Sequence, residues 1–249
     1  MSQQAHRLEG LRDSELLWTR RRDVLRAAAA FAAAGGASAV QAQGLSNIVQ
    51  MTGDVLGNGQ RLRREDSIQS GDTVETGPGS TLVFVIGAAA FHLRQNTRLR
   101  VERGRSLNFV SLLRLLTGGV VSAWGRGGQR LVSTPTLTAG IRGTGVYTEV
   151  RPDGRSYFCN CYGTVALETR GESVLSQADY HQSFWAEVEP KGGRLITPAA
   201  ALNHTDEELE FLARLVGERA RWEVLGRKGV KDGRGYMDER PAGAHPAAR

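Results

Sequence analysis

The residues best suited to chemistry are two cysteines that stand two positions apart, Cys159 and Cys161. Residues i and i+2 of an extended strand project from the same face, so both sulfurs are expected on one side of the chain. Two thiolates on one face supply half of a tetrahedral metal site. His181 and His204 are available for the other half, and the four residues together form a candidate site for zinc or iron.

The same cysteine pair allows two other states. Residues i and i+2 of a regular strand lie about 6.6–6.8 Å apart, which is at or beyond the usual Cα separation of a disulfide. A disulfide therefore requires the strand to bend. The Cys-x-Cys spacing also differs from the two to four intervening residues that are common in zinc sites. Metal binding, a strained disulfide and buried free thiols all stay open at this stage, and our default expectation is that the chain has no cofactor.

No motif typical of an enzyme accompanies the cysteines. The sequence contains no G-x-S-x-G elbow, no H-E-x-x-H helix and no P-loop. The short glycine stretches at 125–128 and 143–145 precede no helix that could bind phosphate, so they are interpreted as turns. We therefore predict a protein that is not an enzyme.

The segment 1–42 has the features of an export signal. Three consecutive arginines precede an alanine-rich stretch, 27–40, which is followed by small-residue cleavage patterns. Arg21 and Arg22 with the following x-Val-Leu resemble a twin-arginine signal. We expect cleavage after Ala42 and a periplasmic or otherwise exported protein.

Composition narrows the class of partner. The chain has a formal net charge of +6, which alone would suggest nucleic acid, but an exported protein does not meet the genome. Aromatic residues make up only 6% of the sequence, too few to favour a base-stacking sheet. No apolar run reaches the ~18 residues of a membrane helix. An envelope protein or a cell-wall polysaccharide is the expected partner, nucleic acid and a transmembrane span are not expected, and the oligomeric state stays open.

The body of the chain has the pattern of short β-strands. Apolar and β-branched runs are separated by Gly, Pro, Asn or Asp at spacings of about 8–12 residues, which predicts an all-β sandwich or a coil of strands. The segment 97–102 alternates apolar and charged residues, as a half-buried strand does, and 151–155 is predicted to be a hairpin turn. The predicted strands include 80–86, 97–102, 119–124, 145–150 and 163–167.

One amphipathic helix is predicted near the C-terminus, within 199–225. Thr205 is the expected N-cap, with Glu208 as its capping-box partner. Four apolar residues then recur at helical spacing and would pack on the β-domain, which is assigned to 43–198. These residues are Leu209, Leu212, Leu215 and Val216. The remaining segment, 226–249, is rich in Gly, Ala, Pro and charge, and is predicted to be a disordered tail.

Six stretches between 53 and 167 resemble, in order and spacing, the FecR domain, a periplasmic module named after the ferric-citrate regulator. The first three are an opening G-x-V at 53–55, an l-x-x-G-D-x-v-x-T-g-x-x-s block at 68–80 and a pair of hydrophobic strands at 80–99. The last three are an l-x-l-x-x-G-x-v block at 113–120, a v-x-T-P…i-R-G-T-x-f block at 132–146 and a closing G-x-v at 163–165.

The resemblance implies a FecR-like β-sandwich or β-roll that binds or signals in the envelope. Because a leader stands where sensing-type regulators carry an anti-sigma segment and a membrane helix, it implies a freestanding exported module without direct anti-sigma activity. Arg142 and Thr144 lie in the i-R-G-T-x-f block and are weak candidates for binding.

Overall fold

The structure is a computed structural model that describes residues 46–102, 106–226 and 228. The predicted leader at 1–42 lies outside these residues, and so does the predicted tail apart from Gly226 and Lys228. Within the described residues the chain is mostly β, with two short helices near its C-terminus. The predicted all-β class is therefore confirmed.

The fourteen strands of the described residues belong to one hydrogen-bonded sheet. Its pairings are antiparallel except that of β8 with β9. In chain order the strands are β1 Ile48–Thr52, β2 Val55–Gly57, β3 Gln60–Arg61, β4 Thr73–Thr76, β5 Thr81–Ile86, β6 Ala89–Leu93, β7 Arg98–Val101, β8 Leu112–Trp124, β9 Arg130–Ser133, β10 Thr138–Val150, β11 Ser156–Glu168, β12 Ser173–Ala178, β13 Gln182–Lys191 and β14 Arg194–Ala199.

Two apolar cores lie on opposite sides of the central strands. The larger core collects buried side chains from most of the strands between β2 and β14. The smaller core lies between the other face of β5, β6, β8, β10 and β11 and the C-terminal segment. Alternate residues of one strand therefore face different cores, as the period of a β-strand requires. On β11, for example, Phe158 belongs to the larger core and Cys159 to the smaller one.

The local predictions largely hold. Along β7, Leu99 and Val101 are buried whereas Arg98 and Arg100 are exposed, as the alternation predicted. The turn at 151–155 joins β10 to β11, and the amide of Arg151 donates to the carbonyl of Arg155. The central strands are longer than predicted, since β8, β10 and β11 have 13 residues each.

The C-terminal segment contains two helices, α1 Asp206–Leu215 and α2 Arg221–Leu225, where one was predicted. The capping box of α1 is confirmed, because the Thr205 hydroxyl accepts from the Glu208 amide and the Glu208 carboxylate accepts from the Thr205 amide. The second helix has only 5 residues, too few to show a helical period in the sequence. No helix among the described residues is long and apolar enough to cross a membrane.

Candidate metal centre

The candidate centre lies at a fork in the sheet, the point at which β11 exchanges one neighbouring strand for another. Its first half, 156–160, pairs with β13, whereas its second half, 163–168, pairs with β12. The turn 179–181 joins β12 to β13 and therefore lies beside the fork, opposite Cys161. This turn carries His181, so the sheet topology brings residues together that are some twenty positions apart in the sequence.

A β-bulge bends β11 at the second cysteine. The register passes from Gly145 opposite Tyr162 to Val146 opposite Asn160, so Cys161 is the extra residue on its strand. A bulge re-aims the side chain it carries. It explains how the sulfurs of Cys159 and Cys161 lie 3.6 Å apart although they start from alternate positions of one strand.

The corner at 143–145 of β10, called the glycine corner below, has one extra residue relative to β11. It therefore restores the register that the bulge at Cys161 shifts. Gly143 has a φ of +61°, which favours glycine. A Cβ on Gly145 would lie 2.3 Å from the Tyr162 ring and 2.9 Å from a methyl carbon of Leu209 on α1, so only glycine permits this close packing. Arg142 is exposed and Thr144 is buried, so the two weak binding candidates do not form one surface.

Four ligand atoms converge at the fork. The atoms are Sγ of Cys159 and Cys161, Nδ1 of His181 and Nε2 of His204, and all lie within 4.8 Å of one another. His181 Nδ1 lies 3.4 Å from Cys159 Sγ and 3.0 Å from His204 Nε2. The structure thus brings together all four residues predicted as ligands.

Each histidine holds its other ring nitrogen on a hydrogen-bond acceptor. His181 Nε2 donates to the Asp206 carboxylate at 3.1 Å, and His204 Nδ1 donates to the carbonyl of Leu202 at 2.6 Å. In the neutral rings these bonds place the proton on the far nitrogen, so each ring can offer the lone pair of its other nitrogen to an ion beside the two sulfurs. Metal-binding histidines almost always show this second contact with a carboxylate or a carbonyl.

Three of the six distances between the ligand atoms are close to those expected around a single tetrahedral ion. Bonds of about 2.3 Å to sulfur and about 2.0–2.1 Å to nitrogen imply tetrahedral edges of about 3.8 Å (S–S), 3.6 Å (S–N) and 3.3 Å (N–N). The corresponding S–S, S–N and N–N distances are 3.6, 3.4 and 3.0 Å, and the other three distances are at most 4.8 Å. A two-iron cluster would place the ligands on two ions, which this compact set does not match.

The electrostatics of the cysteine pair are asymmetric. Burial raises the pKa of Cys159, but a hydrogen bond from Cys161 and the two nearby imidazoles outweigh it and hold that pKa well below its ordinary value. Burial and the neighbouring Cys159 sulfur raise the pKa of Cys161 well above its ordinary value. Burial lowers the pKa of His181, but Cys159 and Asp206 outweigh it and raise that pKa. One thiolate is thus stabilised before any ion binds.

The centre is closed to solvent by protein on every side. The side chains of Cys159, Cys161 and His204 are at most 1% exposed, and that of His181 is 1% exposed. The Tyr147 ring stacks on His204 at 5.0 Å, and the Trp222 ring stacks on His181 at 5.1 Å. A closed site with four protein ligands is typical of structural zinc, since catalytic sites keep a position open for water or substrate.

The sequence left open metal binding, a strained disulfide and buried free thiols. In the structure the two sulfurs are buried and form no disulfide. Sequence reasoning missed Asp206, the carboxylate that holds His181 Nε2. It also missed Trp222, because nothing in the sequence places α2 beside the 179–181 turn. The only available signal was the His204-x-Asp206 spacing, which puts a carboxylate near a ligand.

A second buried polar cluster lies at the same end of α1. Both terminal nitrogens of the Arg94 guanidinium contact the Glu208 carboxylate, at 2.6 and 2.7 Å, and His92 Nδ1 lies 2.9 Å from it. Arg94 also donates to the carbonyl of Asn203 at 2.8 Å. Both His92 and Arg94 are buried, and the role of Arg94 was not predicted.

Comparison with known proteins gives little further guidance. No protein-family model and no curated protein matches the chain. Two crystal structures of a proposed anti-sigma factor from Parabacteroides distasonis ATCC 8503 are similar to it, at 13% and 12% identity and a TM-score of 0.42 each. The similarity covers 51% of this chain and 58% of those chains, so the chain spans little more than half their length. A similarity this low carries no argument about function.

Proposed function

We propose that the chain is an exported, non-catalytic β-domain that binds one zinc ion through Cys159, Cys161, His181 and His204. The observation that carries the proposal is the convergence of two sulfurs and two imidazole lone pairs within 4.8 Å, with both imidazoles held by acceptors on their far side. Bound zinc would supply four ligand bonds that hold β11, the 179–181 turn and the segment before α1 together.

Charge favours a divalent ion at this position. Metal binding requires both cysteines as thiolates and both histidines neutral, so the four ligands carry two negative charges. A divalent ion neutralises them, whereas a net charge in a site this buried would be costly. Lys228 Nζ lies 3.5 Å from the nearby Asp206 carboxylate and 2.5 Å from that of Glu210. A tetrahedral set of two sulfurs and two nitrogens suits zinc, and ferrous iron is the second choice.

The wider role follows from the sequence blocks and the closed site. The ordered resemblance to FecR between 53 and 167 supports a FecR-type module that binds an envelope protein or a cell-wall polysaccharide. A site with no open ligand position supports a structural role for the ion rather than catalysis. The twin-arginine-type leader supports export of a folded chain whose buried ion is inserted before it leaves the cytoplasm.

Metal content of the folded protein tests the binding proposal. We expect about one equivalent of zinc in protein purified without chelator, as a four-ligand site requires. The Cys159→Ser/Cys161→Ser variant should contain almost none. The matched control is His92→Gln, which removes a buried histidine outside the site and should keep the full equivalent. Folded wild-type protein without any transition metal would overturn the proposal.

Export is tested separately by cell fractionation. The Arg21→Lys/Arg22→Lys variant should stay in the cytoplasm with its leader attached, whereas the wild-type chain should be found outside it and shortened. The matched control is Arg7→Lys/Arg12→Lys, which alters two arginines away from the pair. Equal distribution of the wild type and the twin-arginine variant would contradict this route.

A further inference from the structure

We infer that the bound ion acts as a latch for the C-terminal cap, residues 200–225, so that losing the ion lifts the cap from the sheet. This inference rests on the proposed function and adds a regulated conformational change to it. The cap contains the segment after β14 together with α1 and α2. It covers one face of the sheet and contributes directly to the metal centre.

The ligands are divided between the sheet and the cap. Cys159, Cys161 and His181 belong to the sheet and its 179–181 turn, whereas His204 belongs to the cap. Asp206, which holds His181 in its tautomer, is the first residue of α1. Ion binding therefore joins the two parts through one direct ligand and one positioning carboxylate.

The cap also forms the lid of the centre. The Trp222 ring of α2 stacks on His181 at 5.1 Å and 21° and meets the Tyr162 ring edge-on at 5.5 Å. The Tyr157 hydroxyl donates to the carbonyl of Ala200 and accepts from the amide of Leu202, whose carbonyl holds His204. The ion cannot leave unless this lid moves, because the ligand side chains are buried.

Removing the ion takes away the bonds that join His204 on the cap to the three ligands on the sheet. Without the ion, hydrogen bonds such as that between His181 Nδ1 and His204 Nε2, at 3.0 Å, take their place. A single hydrogen bond stabilises such a contact much less than the ligand bonds of a structural metal ion do. The three sheet ligands are fixed by strand pairing or by a short turn, so the cap that carries His204 is the part that can move.

A lifted cap would expose an apolar face of the sheet. Beneath α1 lie buried side chains of β5, β6 and β8, which form the smaller core with Leu209 and Leu212. These side chains are Val83, Val85, Ala90, Val121 and Ala123. The latch therefore controls whether this face is covered. Because coupling between two equilibria is reciprocal, any change that weakens cap docking should also weaken zinc binding.

Hydrogen exchange measured by mass spectrometry tests the latch on the full chain. The zinc-loaded wild type is compared with the Cys159→Ser/Cys161→Ser variant. We expect amides of 206–225 to exchange at least about tenfold faster in the variant. Amides of β5, β6 and β8, which pair within the sheet, should stay protected. Equal protection of the cap in the two proteins would overturn the inference, and so would loss of protection throughout the domain.

A second test keeps all four ligands and uses the reciprocal coupling between cap docking and zinc binding. Leu212→Ala weakens the apolar contact of α1 and should raise the zinc dissociation constant about tenfold, in a competition assay with a chromogenic chelator. Leu175→Ala is the control, because Leu175 is 66% exposed on β12. An unchanged affinity in Leu212→Ala would contradict the latch while leaving the zinc site intact. Absence of zinc binding in the wild type would overturn both proposals.

Discussion

Two buried polar clusters hold the start of α1 on the sheet, and they differ in what completes them. In the ion-pair cluster, the Arg94 guanidinium and a His92 N–H meet the Glu208 carboxylate, so donors face an acceptor and opposite charges meet. In the Cys–His cluster, two sulfurs and two imidazole nitrogens converge within 4.8 Å. The charges of the first cluster are paired within the protein, whereas the second presents four potential ligand atoms to a cation.

The comparison shows that burial and proximity alone do not define a ligand site. Both clusters contain a buried histidine next to a carboxylate, at 2.9 Å for His92 and 3.1 Å for His181. Burial lowers the pKa of His92, whereas Cys159 and Asp206 raise that of His181 in spite of its burial. What distinguishes His181 is that its second ring nitrogen, Nδ1, faces Cys159 Sγ and His204 Nε2, where it can serve as a metal ligand.

The largest expected effect comes from removing the sulfur ligands. Structural zinc contributes directly to the free energy of folding, so Cys159→Ser/Cys161→Ser should cause a larger loss of thermal stability than any other change considered below, although the sheet should stay folded. Differential scanning calorimetry of metal-loaded protein measures it. Chelator should lower the Tm of the wild type toward that of the variant, and a variant that melts like the wild type would contradict the difference between the clusters.

Breaking the ion-pair cluster should cost somewhat less. Arg94→Met leaves the Glu208 carboxylate buried without its guanidinium, which typically costs about 3–5 kcal/mol. Adding Glu208→Gln removes the stranded charge and should recover part of the loss. Urea unfolding of both variants with saturating zinc measures this. A double variant less stable than Arg94→Met would show that repulsion from the lone charge is not the cause.

The glycine corner should be sensitive to a single methyl group. Gly145→Ala places a Cβ against the Tyr162 ring and Leu209, and overpacking of this kind costs about 1–3 kcal/mol. Gly128→Ala is the matched control, since nothing lies within 4 Å of its added Cβ. Both are measured by urea unfolding, and equal stabilities would show that the packing between β10, β11 and α1 is looser than described.

The carboxylate behind His181 should tune affinity without abolishing binding. Asp206→Asn keeps the shape of the side chain but removes its charge, and changes of this type weaken metal binding about 10-fold to 100-fold. Glu207→Gln is the control on the same helix turn. Competition with a chromogenic chelator gives both constants. An affinity equal to that of the wild type would mean that Asp206 only caps the helix.

The smallest effect expected is a pH dependence due to His92. Burial, opposed by Glu208 and reinforced by Arg94, lowers the pKa of His92, so the unfolded chain binds its proton first as the pH falls through about 6.5. Folding stability should therefore decrease between about pH 7.5 and 5.5 by an amount on the order of 1 kcal/mol. With saturating zinc, His92→Gln should show a smaller decrease. An equal decrease in stability in His92→Gln would show that other groups cause the pH dependence.

The sequence predicted the ligands better than their geometry. The alternation of β7, the hairpin at 151–155 and the capping box of Thr205 are local patterns, and each was predicted from nearby residues. The four ligands were predicted from residue type alone, since their approach depends on a fork in the sheet and on a bulge at Cys161. A register shift leaves no periodic signal, and neither does the pairing of Arg94 with a residue 114 positions away.

X-ray absorption at the zinc edge of the purified protein reports directly on the proposed ion, which two sulfurs and two nitrogens would hold. We expect about two sulfur neighbours near 2.3 Å and two nitrogen neighbours near 2.0 Å. The Cys159→Ser/Cys161→Ser variant should give no such signal at equal protein concentration. A zinc shell of oxygen and nitrogen alone, or folded protein with no bound metal, would contradict this proposal.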